Sequence, residues 1–418
     1  MYKICVVGVG YIGLPTALVF ANAGYEVVGC DVDTKKIKAL NCGDADINES
    51  ELTPLLKRCL KSGNLTFSAE PILANVFIIC VPSPIVINNG IITQNTSYIF
   101  SAIDKIAPFA KDGSYIIIET TSEVGITEKV RDYYNSKSEY SNKINFAYCA
   151  ERIIPGDLIK ELYSNDRVLG IDNPAKAQEL SNIYQKALPD VQIDVLSTRA
   201  AEAVKLIENS YRDVNIAYAN SVYNLCLELD IEPIETIKVA NKHPRVNILQ
   251  PGFGVGGHCI PIDPWFLISG REQTAKLLLA ARQVNDEISN LYVERMIHFC
   301  KNNIEKDKTT LEVLFLGCTY KPNVDDLRES PAIKIINQAS RLFKKVYVVE
   351  PLVEFHKLKK QYQNIEFLEI NALCKNKKID VVSPLVWHSK FDNHSKDIIE
   401  FYDIIYDPLK MITKLKRE

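Results

Sequence analysis

One cysteine stands in a glycine-rich bend, Pro251-Gly252-Phe253-Gly254-Val255-Gly256-Gly257-His258-Cys259, followed four positions later by Asp263. A bend of that kind leaves a thiol accessible, and its backbone N–H groups can stabilise developing negative charge. Three uses compete for such a thiol. It could be a structural residue, a redox switch, or a nucleophile that traps an aldehyde as a thiohemiacetal and carries it on to a thioester. No resolving cysteine lies near it in sequence, which weighs against the switch. The nucleophile needs a hydride acceptor, a carboxylate to guide water and a cation for the oxyanion. Glu151, directly after an apolar run ending at Cys149 and Ala150, and Lys205, in a glycine-free stretch, supply the last two.

The hydride acceptor has its own signal at the start of the chain. Lys3 to Gly8 is a short β-branched run, the turn Gly8-Val9-Gly10-Tyr11-Ile12-Gly13 follows, Leu14 to Ala23 has helical composition, and Glu26 to Asp31 is a second run. In this strand, turn, helix, strand unit Gly8 permits the tight turn, Gly10 lets backbone approach a pyrophosphate at the helix N-terminus, and Gly13 allows close helix packing. Asp31 is placed for ribose hydroxyls and favours NAD over NADP, although Lys35 and Lys36 temper that preference. An unoccupied Rossmann-like unit is the bland alternative.

The elements that must carry these residues follow from periodicity. Buried strands are predicted at Val76 to Val81, Tyr115 to Glu119, Asn145 to Cys149, Arg167 to Ile171 and Val191 to Val195, with helices between most of them, which implies a parallel, doubly wound sheet. Ser83 and Thr121 fall at strand carboxyl ends, where ligands of such sheets bind; each hydroxyl could equally be a turn or cap. From Thr198 to about Asp230 there is neither glycine nor proline. One helix of about 45 to 50 Å is expected there, with Lys205, Asn209 and Arg212 on one face and enough apolar positions for a dimer interface. After about Asn302 a second α/β unit begins: a strand from Thr310 to Gly317, a helix starting at Ser330-Pro331, and a strand from Val346 to Glu350. Its turn lacks the glycine fingerprint, so a second dinucleotide is not expected. Tyr320-Lys321-Pro322 and Asp325-Asp326-Leu327-Arg328-Glu329-Ser330 form a charged loop at a strand end, able to hold a nucleotide or simply to cap the helix. The fold class is therefore α/β, with two Rossmann-like doubly wound domains joined by a long central helix and a small helical domain, divided as 1–196, 197–302 and 303–418.

Composition narrows the setting. A net charge of -3 over 49 basic and 52 acidic residues, without long runs of either sign, leaves no electrostatic footprint for nucleic acid or a membrane surface. The 11 cysteines show neither paired Cys-x-x-Cys spacing nor metal-type histidine spacing, so no metal is expected and most are read as small buried residues. The apolar N-terminus is interrupted by glycines and carries Glu26, unlike a signal or anchor, and a cytoplasmic protein is expected.

Taken in order, these motifs resemble the nucleotide-sugar 6-dehydrogenases, which oxidise UDP-sugars twice to UDP-uronates. The resemblance runs nearly end to end: Gly8-x-Gly10-Tyr11-Ile12-Gly13, Val81-Pro82-Ser83-Pro84, Thr120-Thr121, Glu151-Arg152, Lys205-x-x-x-Asn209, Gly256-Gly257-His258-Cys259-x-x-x-Asp263 and Asp325-Asp326-x-Arg328-Glu329-Ser330-Pro331. It implies Cys259 as nucleophile, Lys205 as acid/base and oxyanion partner, and Glu151 as guide for the hydrolytic water, with Thr121, Asn209 and Asp263 completing the network. It implies that Gly8, Gly10, Tyr11, Ile12, Gly13, Asp31, Ser83, Thr121 and Arg328 meet NAD. Arg152, Ile153, Lys205, Asn209, Arg212, His243, Arg245, Gly256, Tyr320 and Lys321 are implied to meet the UDP-sugar. In the family the arginine matching Arg245 reaches across a dimer, so a homodimer or higher homo-oligomer is expected.

The stretches Glu208 to Asn215, Asn241 to Gly252 and Asp263-Pro264-Trp265-Phe266 look like the branch that oxidises UDP-N-acetylmannosamine. UDP-glucose dehydrogenases usually carry lysine where this chain has Ile262, and Arg212 and His243 are candidates for an acetamido carbonyl that glucose lacks. UDP-N-acetylglucosamine, UDP-N-acetylgalactosamine and UDP-glucose remain alternatives, because spacing does not read stereochemistry. The chain departs from the family at Ala150, where proline is usual, at Ser83, where threonine is usual, and at Leu409, where a basic residue usually follows the aspartate; Lys410 could compensate. Two other readings stand beside this one. A single-step 2-hydroxy or 3-hydroxy acid dehydrogenase would have no use for Cys259, and a catalytically retired nucleotide-sugar sensor would be expected to have lost Cys259, Lys205 or Glu151.

Overall fold

A computed structural model describes residues 2–412 apart from 46, 48, 50, 89, 90, 154, 155, 355, 357, 359–361, 363, 364, 376 and 377. Its contacts group the chain into two compact units, one of residues 1–208 and 265–270, the other of residues 209–264 and 271–418.

The first unit holds β1 (Lys3–Val7), β2 (Glu26–Cys30), β3 (Leu65–Ser68), β4 (Ala74–Ile79), β5 (Ile85–Asn88), β6 (Ile91–Gln94), β7 (Ala110–Ile118), β8 (Asn145–Tyr148), β9 (Arg167–Gly170) and β10 (Ile193–Leu196). Eight of them form one sheet in the order β10-β9-β8-β7-β4-β1-β2-β3, and β5 pairs with β6 as a separate hairpin. The order reverses at β1 and β4, the switch point at which doubly wound sheets leave a crevice outside their strand ends. Alternation along the strands sends Ile4, Val6, Val76, Ile78 and Ile117 into one core layer. Their neighbours Cys5, Val7, Phe77, Ile79, Ile116 and Ile118 enter another, so both faces are covered, as parallel sheets require.

The sheet departs from the parallel expectation at one joint. β8 meets β9 antiparallel, through Tyr148 and Gly170. Among the described residues the connection between them carries one helix, the 7-residue Leu158–Ser164, whereas a parallel return is usually made by a crossover helix that spans the sheet.

In the second unit β11 (Glu312–Leu316), β12 (Lys345–Val349), β13 (Glu366–Leu368) and β14 (Val381–Pro384) form a parallel sheet in the order β13-β12-β11-β14. Val313, Phe315, Val346 and Val348 face one core layer, and Leu314, Leu316, Tyr347 and Val349 the other. Ser330 caps helix Pro331–Ala339 by accepting the Ile333 N–H, with Pro331 in the first turn. The expected long helix runs Thr198–Glu228. It stops where Asp230 enters the left-handed region at φ 59, a conformation aspartate tolerates better than most side chains. Cys5, Cys30, Cys59, Cys149, Cys226, Cys300 and Cys318 are buried, as small apolar residues would be.

Candidate active site

In the first unit the turn after β1 is shaped by what its glycines avoid. Gly8 has φ +91, and a Cβ there would lie 2.6 Å from the Cys80 carbonyl oxygen; one on Gly13 would lie 1.8 Å from the Gly8 oxygen. Gly10 differs, because a Cβ there would meet nothing within 4 Å. Helix Gly13–Asn22 begins behind this turn with no side-chain cap and no acidic residue in its first turn. An open Gly10 at an uncapped helix N-terminus suits a pyrophosphate. Asp31 accepts the Val9 N–H (3.2 Å) and the Asp33 N–H (3.0 Å) and pairs with Lys36 Nζ (2.9 Å). The carboxylate is thus fixed in direction, and one neighbouring lysine is committed to it.

Thr121 lies at the end of β7, where Gln94 clamps the loop. Its side-chain amide donates to the Thr121 carbonyl and to Ser122 Oγ (both 3.1 Å), and its oxygen accepts the Glu123 N–H (2.9 Å). Ser83 is half-buried in the loop before β5.

Glu151 follows β8 and is 6% exposed. Its Oε2 accepts the Ile153 N–H (2.6 Å), while Lys205 Nζ donates to its carbonyl (2.6 Å) and lies 3.4 Å from Oε1. A lysine and a carboxylate are thereby held together in one buried pair. Arg152 is turned to Glu208 through Nε (3.3 Å) and to the Asp166 carbonyl through a terminal nitrogen (2.9 Å). Beneath them Arg167 lies 3.7 Å from Glu119 and reaches the Ala150 carbonyl at 3.4 Å, supporting the backbone that presents Glu151. Burial pushes the Glu119 carboxyl up, and Arg167 works against that rise. Ile154 and Pro155 of the same motif lie outside the described residues.

In the second unit the bend before Cys259 rests on the loop after β11. A Cβ on Gly256 would lie 2.7 Å from Tyr320 Cβ and 2.8 Å from Pro331 Cδ, so only glycine allows this approach. The Gly257 N–H donates to the Arg328 carbonyl (3.0 Å) and the Asp263 N–H to the Cys259 carbonyl (2.8 Å). Asp263, 3% exposed, accepts from Asn209 Nδ2 at 2.6 Å. The thiol-bearing turn is therefore closed by its own carboxylate residue and tied to the long helix.

Tyr320 is pushed up to about 12, first by burial and then by the charges of Asp326 and Cys259. Arg328 is pinned to Asp326 through Nε, 3.0 Å from both carboxylate oxygens. Burial works to raise Asp326, but hydrogen bonds from the Arg328 side chain and backbone outweigh it and hold the carboxyl below its ordinary range. Arg212 is exposed, and its charge acts on Tyr320; Lys321 is half-buried. His243 and Arg245 are exposed beyond helix Pro233–Ala240, where the Arg245 N–H donates to His243 Nδ1 (3.3 Å). Leu409 is core, 8% exposed, and Lys410 pairs with Glu232 at 2.7 Å.

Two residues that sequence reasoning passed over hold these parts in place. One is Gln94. The other is Glu49, which accepts from Tyr11 Oη (2.6 Å) and from the Gly156 N–H (2.7 Å), joining the dinucleotide turn to the loop after Glu151. A lone acid between two helices carries no pattern by which to find it.

The glycine turn after β1, open at Gly10 and followed by an acid fixed at Asp31, has the features of a dinucleotide-binding unit. Residues 2–188 match the NAD binding domain of the UDP-glucose/GDP-mannose dehydrogenase family, residues 199–287 its central domain and residues 314–413 its UDP binding domain. The chain belongs to that family, and it is an NAD-dependent oxidoreductase acting on a UDP-sugar. It is 39% identical over 400 residues to the UDP-N-acetyl-D-mannosamine dehydrogenase of Methanococcus vannielii, covering 95% of this chain and 89% of the relative. It is 39% identical over 413 residues to the enzyme of that name from Campylobacter jejuni, covering 96% and 98%. The solved UDP-D-ManNAc dehydrogenase of Pyrococcus horikoshii superposes with a TM-score of 0.87 at 33% identity, over 97% of this chain and 94% of that one. Among the described residues no helix is long and apolar enough to cross a membrane, and no cluster of His, Cys, Asp and Glu could hold a metal ion.

Proposed function

We propose that the chain oxidises C6 of UDP-N-acetyl-D-mannosamine to the carboxylate of UDP-N-acetyl-D-mannosaminuronate in two steps, through a covalent adduct on Cys259. The observation that carries the reading is the Cys259 turn itself, a thiol on a glycine bend closed by Asp263 and tied to Asn209. The names of relatives near 39% identity over almost the whole chain support the sugar, as does Ile262 in place of lysine. In this reading 1–196 is the NAD domain, 197–302 the central domain and 303–418 the UDP domain.

NAD, held by the turn from Gly8 to Gly13 with Asp31, Ser83, Thr121 and Arg328, supplies the hydride acceptor for both oxidations, two per sugar. The first oxidation removes a hydride from C6 and a proton from its hydroxyl, leaving an aldehyde. The Cys259 thiolate adds to the aldehyde carbon, and Lys205 protonates or stabilises the resulting oxyanion. Loss of the second hydride from the thiohemiacetal, with its hydroxyl proton passing to Lys205, gives a thioester. Glu151 directs a water onto it, which releases the carboxylate and returns the thiol. Arg152, Ile153, Arg212, His243, Gly256, Tyr320 and Lys321 hold the UDP-sugar, Arg212 and His243 at the acetamido group.

The protein works as a homodimer in which Arg245 reaches the neighbouring site. Tyr211, Tyr218 and Leu225 recur every seven residues on the long helix and are 68%, 57% and 55% exposed, an apolar stripe suited to a second copy. A monomeric mass in light scattering would contradict this. The buried thiols fit a reducing cytoplasm.

The substrate is tested by comparing kcat/KM on UDP-N-acetylmannosamine and UDP-N-acetylglucosamine. The reading expects the mannosamine compound to be used faster; faster turnover of its C2 epimer would overturn the sugar and leave the chemistry standing.

A further inference from the structure

In a dinucleotide-binding unit the acid at the end of the second strand faces a ribose. The second unit carries an acid at that point, Glu350 after β12, but turns it inward, with its side chain fully buried. Glu350 Oε2 accepts the Cys318 N–H (2.8 Å) and Oε1 the Leu352 N–H (2.9 Å). Its third partner is His388, likewise fully buried, whose Nε2 lies 3.1 Å from Glu350 Oε2 and 3.3 Å from Thr319 Oγ1. The other ring nitrogen, Nδ1, accepts the Asn323 N–H at 3.0 Å. A ring nitrogen that accepts a backbone N–H carries no proton, so the neutral ring keeps its proton on Nε2 and donates it toward Glu350.

The two residues thus hold both ends of one segment. Glu350 fixes Cys318, His388 fixes Asn323, and Thr319, Tyr320, Lys321 and Pro322 lie between. Thr319 Oγ1, donating to the Lys321 carbonyl at 2.9 Å, braces the middle. Asn323 has φ 60, and its side-chain oxygen accepts the Ser389 N–H at 2.9 Å, so the residue after His388 secures the same corner.

We propose that His388 and Glu350 are positioning residues for the UDP-sugar: the pair sets the loop that presents Tyr320 and Lys321 to the nucleotide, and touches no ligand itself. This rests on the proposed role of Tyr320 and Lys321. An acid that would serve a dinucleotide in the first unit is used in the second to build a nucleoside diphosphate site. A buried hydrogen-bonded pair has fixed geometry, and loss of one such bond shifts an equilibrium constant roughly tenfold.

The test measures UDP binding by calorimetry on the full-length protein, together with KM for UDP-sugar, KM for NAD and kcat. His388→Gln keeps a donor that can reach Glu350 and loses the acceptor for the Asn323 N–H. It should weaken UDP about tenfold and raise KM for the UDP-sugar in proportion, with KM for NAD unchanged and kcat nearly so. His388→Asn, which keeps an acceptor at the Nδ1 position, should recover much of the loss. Because the pair is buried, the exposed Asn323→Gly, which removes the Ser389 tie and tolerates the positive φ, serves as a second variant; it should weaken UDP to a smaller degree. A lowered melting temperature with wild-type UDP affinity in either His388→Gln or Asn323→Gly would reduce the pair to packing and overturn the inference. A wild-type protein that does not bind UDP would overturn the nucleotide reading, and the inference with it.

Discussion

Gly10→Ala separates the cofactor's needs from the fold's. A methyl group at Gly10 would have no neighbour within 4 Å, and Gly10 is not among the glycines with positive φ. The unliganded protein should therefore tolerate the change or gain about 0.4–1 kcal/mol from a less flexible unfolded chain. A bound pyrophosphate should not tolerate it, since the methyl would stand where backbone and phosphate come together. With NAD at about 100 times its Kd, binding stabilises the wild type by about 2.7 kcal/mol, and a hundredfold loss of affinity leaves about 0.4 kcal/mol at the same concentration. For a unit of this size about 1 kcal/mol moves Tm by roughly 2–4 °C. A wild-type NAD shift of roughly 5–11 °C should thus fall to about 1–2 °C in the variant. Gly13→Ala is the counterpart: its Cβ would sit 1.8 Å from the Gly8 oxygen, so it should lower Tm with or without NAD. Differential scanning fluorimetry with and without NAD reads both. A Gly10→Ala protein that keeps the full NAD shift would refute the assignment of the turn, and one that melts far below wild type without NAD would refute the claim that the position is open.

Other outcomes follow from particular pairs. Arg282 and Asp213 face each other at 2.6 Å with both side chains 1% exposed. Asp213→Ala strands a buried guanidinium that keeps only the half-exposed Asp286, and should cost about 3 kcal/mol, the low end for breaking such a pair; thermal melts check it, and an unchanged Tm would contradict it. Glu179 is held down to about 2 by hydrogen bonds from Lys176 and Tyr2, against an ordinary 4.5. A depressed carboxylate contributes stability that is present above its unfolded value and lost as pH falls through the folded one. Glu179→Gln should therefore match the wild type's slope above pH 4.5 and lose less stability between 4.5 and about 2, as read by acid titration of Tm. Lys410→Ala should leave KM for the UDP-sugar unchanged, because its ammonium is committed to Glu232; a raised KM at wild-type Tm would mean that Lys410 leaves Glu232 to hold the nucleotide.

What the sequence disclosed follows from where its physics is local. The turn from Gly8 to Gly13 is readable because its glycines stand at fixed spacing between a strand and a helix that adjoin in sequence, even though the atom that excludes a side chain at Gly8 belongs to Cys80, and the Thr198–Glu228 helix because nothing in it interrupts the pattern. The strand β3, Leu-Thr-Phe-Ser, is too short to stand out. The hairpin of β5 and β6 has one local signal, Asn89-Gly90 between two β-branched runs. The antiparallel joint of β8 and β9 depends on how a connection returns across a sheet, which composition does not state. The links made by Glu49, Gln94 and His388 span 38, 27 and 65 residues. No periodicity encodes contacts of that range.

The central claim, a four-electron oxidation carried by Cys259, is tested most directly by counting NADH formed per mole of UDP-N-acetylmannosamine consumed to completion, with wild type and Cys259→Ser side by side. The account predicts two NADH for the wild type, and a variant that stalls at the aldehyde or its adduct before the second hydride is lost. One NADH per sugar with an unaffected variant would contradict it, reducing Cys259 to a packed thiol and the reaction to a single two-electron step.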